Sequence, residues 1–164
     1  MAQDSFDAGD IVVYPTHGVG HVKGIETQDL GDIQVEVIVI QFDSERMTLR
    51  VPTAKASTSG LRPLSSKKVM DSALTTLRGR AKVRRTMWSR RAQEYEAKIN
   101  SGDPVSIAEV VRDLHRGEEQ PEQSFSERQI YQSALARLTR EFAAIEQIDE
   151  ESATERLETV LRAA

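Results

Sequence analysis

The chain contains no cysteine in its 164 residues, which removes disulfides and thiolate metal ligands and suits a reducing compartment. Aromatic residues make up only 5% of it and tryptophan occurs once, so any ring-based function must fall on a few identifiable positions. No apolar run approaches the roughly 18 residues needed to cross a bilayer. The N-terminus also lacks the apolar core of a signal peptide, so the expected location is the cytoplasm, with no membrane partner. P-loop, GxSxG, HExxH and dinucleotide-binding glycine signatures are missing as well. His17 and His21 stand among glycines, with no cysteine nearby, and read as turn or sheet-surface residues in place of metal ligands. The glutamates of 141–158 read as solvated helix faces. Taken together, these absences lead us to expect no enzyme, no metal site and no cofactor.

Charge is strongly segregated along the chain. The formal net charge is −4, yet residues 1–66 carry five Lys/Arg against nine Asp/Glu, residues 67–91 carry nine against one, and residues 92–164 carry eight against sixteen. The basic segment is densest over 78–91, where Arg78, Arg80, Lys82, Arg84, Arg85, Arg90 and Arg91 occur with no acid and flank Trp88, the single tryptophan. Clustered cations beside one large ring suit a nucleic-acid backbone with an opened base step next to it. The acidic remainder would repel DNA from other faces.

In chain order, Asp10–Pro15 is a short β-rich run stopped by proline. The glycine-studded stretch 17–25 suits a curved strand, and Gly31-Asp32 marks a turn. Residues 33–42 read as a strand whose second half is apolar on both faces. After a turn at 43–46, period-2 alternation in 47–52 sends Met47, Leu49 and Val51 to one face and Thr48 and Arg50 to the solvated other. Five or so short strands without a helix predict a small β-barrel.

From Ser66, a plausible N-cap, the period becomes helical. Helices are expected from there to Gly79, from about Val83 to Asn100, and from Asp103-Pro104 to Gly117. The capping-box spacing of Ser124 and Glu127 opens the longest helix, with Tyr131, Leu135, Leu138, Phe142 and Ile145 on one face. A last helix carries Ala153, Leu157, Val160 and Leu161. The fold class is α+β: a small β-barrel over residues 1–65, then an all-α bundle of about five helices over 66–164.

Two readings of the basic stretch stand side by side. It could be a solvated face pairing with the acidic helices, or a DNA contact that gains affinity by counterion release. Trp88 likewise falls in register with Ala92, Tyr95 and Ile99, which suits the apolar seam of its helix as well as a wedge.

Val-Val-Tyr-Pro-Thr-His-Gly-Val-Gly (12–20), Leu-Arg-Val-Pro (49–52), Trp-Ser-Arg-Arg (88–91), Ser-Gly-Asp (101–103) and Ala-Glu-Val-Val-Arg-Asp-Leu (108–114) together resemble the CarD/CdnL family of bacterial transcription regulators. The resemblance implies a Tudor-like N-terminal barrel that binds the RNA polymerase β subunit. It also implies a helical domain that contacts promoter DNA at the upstream edge of the transcription bubble and stabilises the open complex, ribosomal RNA promoters included. On this resemblance Arg50 is the main polymerase contact, with Thr48, Val51 and Pro52 on a strand edge able to pair with a polymerase strand. On the same resemblance Trp88 is the minor-groove wedge, with Arg90 and Arg91 on neighbouring phosphates; Lys82, Arg84 and Arg85 are the further DNA-binding candidates of the basic stretch. The resemblance implies a nucleoid-associated monomer. A basic residue of some members is replaced here by Gln28, and an aromatic-basic pair by Ala92-Gln93. The competing reading is a protein-only adaptor that docks its basic helix on an acidic partner.

Overall fold

Five antiparallel strands come first: β1 (Ile11–Tyr14), β2 (Gly18–Asp29), β3 (Gln34–Phe42), β4 (Met47–Pro52) and β5 (Arg62–Pro63). They form one sheet in the order β4-β3-β2-β1-β5. In this computed structural model residues 6–56, 58–82, 86–116 and 123–163 are described. They fall into two compact units, Met1–Leu64 and Ser65–Ala164.

The sheet folds as its pattern requires. Phe6, Val12, Val22, Ile38, Ile40, Phe42, Val51, Ala56 and Leu61 close over one another as the core of a Tudor-like unit. Full burial of each large side chain contributes roughly 1.5–3 kcal/mol. Gly20 shows how tight this core is: a Cβ there would lie 2.8 Å from the Phe42 ring and 2.9 Å from Ile40. Both of those side chains are buried, so neither can swing aside, and only glycine fits. β2 runs four residues beyond the expected end at Ile25 because it pairs with β3 as far as Asp29↔Gln34, across an irregularity between Val22 and Gly24. β4 pairs only with β3, in the register Ile38↔Val51, Val39↔Arg50, Ile40↔Leu49, so its other edge is open among the described residues.

The second unit holds α1 (Lys67–Leu77), α2 (Trp88–Asn100), α3 (Pro104–Leu114), α4 (Phe125–Glu146) and α5 (Glu150–Arg162). Side-chain caps set most of the starts. Ser66 accepts from the Val69 N–H, Asp103 from Ser106, Ser124 from Glu127 and Asp149 from Ser152, each satisfying an N–H that the first turn would otherwise leave unpaired. The capping box of α4 closes only halfway, because the Glu127 carboxylate takes Arg116 Nη2 at 3.0 Å.

Three expectations are corrected. α2 begins at Trp88, several residues later than expected; Thr86 is a bend and Met87 the N-cap, while Val83 lies outside the described residues. α3 ends at Leu114 with His115 as its C-cap; Gly117 lies outside the described residues. The expected face of α4, by contrast, does meet the core: Leu138 and Phe142 are buried and Tyr131, Leu135 and Ile145 pack against the same cluster, which also takes in Ile130 and Ala134 because α2, α3 and α5 all pack against this helix. Glu141 is no solvated glutamate: it is 4% exposed, and its carboxylate accepts the Ser65 backbone N–H at 2.8 Å.

His115 gives the bundle a pH dependence. Its Nδ1 lies 3.2 Å from the Tyr131 hydroxyl. Burial pushes its pKa below the ordinary 6.5, with Arg116 and Arg162 adding to the effect and Glu158 opposing it. The unfolded chain therefore takes up this proton first as pH falls. The contribution is complete above about 6.5 and is lost progressively below it. Melting temperature should fall more steeply with acidification below pH 6.5 in the wild type than in His115→Gln; equal slopes would remove His115 as the cause.

Candidate nucleic-acid interface

α2 is the helix that starts without a side-chain cap. Met87 precedes it with φ −59° and ψ 142° and makes no side-chain cap. An open helix N-terminus favours anions through its unpaired N–H groups and dipole. Trp88 stands at this end. Its ring is half-buried, packed against the bundle core and 6.2 Å from the Tyr95 ring. The indole Nε1 donates to Ser126 Oγ at 3.2 Å, which ties the start of α2 to the start of α4. Trp88 thus joins the apolar seam without being enclosed by it.

The cations around it divide by role. Arg90 is exposed, as is Lys82, and so are Arg78 and Arg80. Arg91 is turned inward. Its guanidinium carbon lies 5.4 Å from the Trp88 ring centroid and 5.8 Å from that of Tyr95, and its Nη2 donates to the Tyr95 hydroxyl at 3.3 Å. Such cation–π contacts are worth about 0.5–2 kcal/mol; they hold the indole from below and leave Arg91 less free to reach a phosphate. Arg84 and Arg85 lie outside the described residues.

Two residues that the sequence patterns did not single out belong to this surface. Met87 is 77% exposed and Phe125 is 73% exposed; they immediately precede Trp88 and its hydrogen-bond partner Ser126. Capping-box spacing put Phe125 in the first turn of a helix but said nothing of which way it would face.

On the sheet, Arg50 and Thr48 are exposed and Pro52 is half-exposed, whereas the Val51 side chain is buried in the core. Only the backbone of Val51 is thus open to a partner. Arg50 Nε meets a Glu26 carboxylate oxygen at 3.4 Å, with both side chains about half exposed, a weak surface pair that a stronger partner can replace. His17 sits 3.1 Å from a Glu45 carboxylate beside the Tyr14 ring. Among the described residues no group of three or more His, Cys, Asp or Glu could hold a metal ion, and no helix is long and apolar enough to cross a membrane.

Residues 6–65 match the model of the CarD-like/TRCF RID domain, and residues 72–158 match that of the CarD C-terminal domain. The chain belongs to the CarD family. It is 30% identical over 145 residues to YdeB of Bacillus subtilis (strain 168), whose name offers it as a candidate transcription factor; the match spans 88% of this chain and 95% of YdeB. As a CarD protein it is a transcription regulator, with the α+β order of a Tudor-like sheet followed by five helices.

Proposed function

We propose that this CarD protein binds the RNA polymerase β subunit through β4 and holds promoter DNA open at the upstream edge of the bubble with Trp88, ribosomal RNA promoters included. The observation that carries the reading is the half-exposed indole, clamped at an uncapped helix start and flanked by exposed cations. Base stacking on an aromatic ring is worth about 1–3 kcal/mol, enough to change a nearly balanced opening equilibrium roughly five- to hundredfold. The ring must favour separated strands over paired ones, since equal affinity for both would shift nothing.

The affinity of so small a basic patch for free DNA is expected to be weak. A grip on polymerase supplies the effective concentration that DNA affinity lacks. Arg50 and the open edge of β4 suit such a grip, with backbone pairing for affinity and the guanidinium for selectivity. The protein acts as a monomer in the nucleoid, with residues 1–65 as the polymerase-binding part and 66–164 as the DNA-contacting part. The direct test is the lifetime of open complexes at a ribosomal RNA promoter, challenged with competitor DNA, with and without the protein. Addition should lengthen it severalfold. An unchanged lifetime, with polymerase bound and DNA protection unaltered, would leave the protein-only adaptor in its place.

A further inference from the structure

The Arg112-Asp113 pair of α3 has no part in the interface just described. The surrounding apolar positions Ala108, Val110, Val111 and Leu114 are each fully buried, as a core helix requires. Asp113 is buried with them, at 3% exposure, although a carboxylate in such a place is costly unless its oxygens are satisfied. One of those oxygens, Oδ1, accepts two bonds: from Arg112 Nε at 2.8 Å and from the backbone N–H of Lys82 at 2.9 Å. The second bond joins residues 31 apart in sequence. Three residues earlier, Gly79 lies against the Arg112 stem: a Cβ added there would be 3.7 Å from Arg112 Cδ and 3.3 Å from the Thr76 carbonyl oxygen.

We infer that Asp113 is a positioning residue that pins the basic segment to α3 and so fixes where its cations stand relative to Trp88. The inference rests on the DNA reading proposed above and deepens it. Between the end of α1 at Leu77 and the start of α2 at Trp88 lie ten residues; the bond at Lys82 leaves five beyond it. For a chain segment in general, halving its length raises the probability that its ends hold a given separation about threefold, because closure entropy goes as three-halves of the logarithm of length. Arg78, Arg80 and Lys82 sit on or next to the pinned stretch, and their side chains are exposed. The buried carboxylate thus holds backbone, leaving the cations free for phosphates.

The test uses the full chain and a forked promoter fragment carrying a single-strand/double-strand junction, with affinity measured across a salt series. Asp113→Ala should weaken binding about threefold or more. It should also make the plot of log affinity against log salt shallower by about one unit for each phosphate no longer neutralised. Asp113→Asn keeps an oxygen for the Lys82 N–H and should recover most of both. A general loss of folded protein would lower affinity without changing the slope, so a weaker Asp113→Ala with the wild-type slope would overturn the inference, as would an Asp113→Asn no better than Asp113→Ala.

Should Asp113→Ala fail to fold, Lys82→Pro and Lys82→Ala provide the same comparison at an exposed position. Both remove the side-chain charge, but only proline removes the N–H. Lys82→Pro should be the weaker binder with the shallower slope, and identical behaviour would overturn the inference. Amide exchange at Lys82 keeps the two proposals apart. A slowly exchanging Lys82 N–H that becomes fast in Asp113→Ala supports the pin even if the wild type shows no salt-dependent binding, a result that would sink the DNA reading alone. Exchange that is equally fast in both would sink the pin.

Discussion

Trp88→Ala should shorten the lifetime of the open promoter complex about tenfold while leaving polymerase binding unchanged. The magnitude follows from stacking: a loss near 1.4 kcal/mol, inside the range of about 1–3 kcal/mol for a base on an aromatic ring, is a factor of ten. Part of the ring is packed on the bundle core, so the variant should also melt at a lower temperature, and the comparison belongs well below that melting point. Trp88→Phe separates the contributions. It keeps an aromatic face but loses the Nε1 donor to Ser126, so it should retain a measurable part of the lifetime. If a folded Trp88→Ala gives the wild-type lifetime, the wedge is gone and the basic segment must act on something other than opened DNA.

Arg50→Glu should weaken association with the polymerase β subunit at least tenfold, as read by calorimetry or co-purification, with little change in melting temperature. The side chain stands on the solvated face of β4, and the pair it forms with Glu26 is exposed; substitutions at such positions usually change stability by under about 0.5 kcal/mol. Reversal places a carboxylate beside Glu26 and presents two like charges to whatever the arginine met. On the proposed function, polymerase attachment supplies the local concentration of the DNA-contacting part, so the same variant should lose the open-complex effect even though Trp88 is intact. A variant that binds polymerase normally would remove β4 from the interface.

The two variants should therefore fail differently: one bound and inert, the other unbound. Mixing them should not restore activity, since both interactions must come from one chain.

Local signals carry most of the architecture. Ser66, Asp103-Pro104 and Ser124 announce helix starts because a cap is written in the residues that make it. Period-2 alternation places Arg50 outward and Val51 inward. Features that depend on distant partners are not legible. Asp113 and Glu141 look like ordinary helix-surface acids, since the N–H groups that justify their burial belong to Lys82 and Ser65, 31 and 76 positions away. The late start of α2 is hidden because basic residues are good helix formers, and nothing in 83–87 forbids a helix by itself. Arg91 looks the same as Arg90 in a run of cations; only folding turns one over two aromatic rings and leaves the other in solvent. The register of Trp88 suits core and wedge alike; the structure packs it against the core without enclosing it, and the wedge stands as the proposal.

The unpaired margin of β4 carries a hazard of its own. Backbone that can accept a foreign strand can accept another copy of itself, the usual route from an exposed sheet edge to aggregates. In an antiparallel pairing of two such strands centred on Arg50, each guanidinium would face its twin, and like charges directly opposite are unfavourable. Pro52, at the strand's end, has no N–H to offer a neighbour. The side chain proposed to welcome the polymerase would thus also keep sister molecules apart.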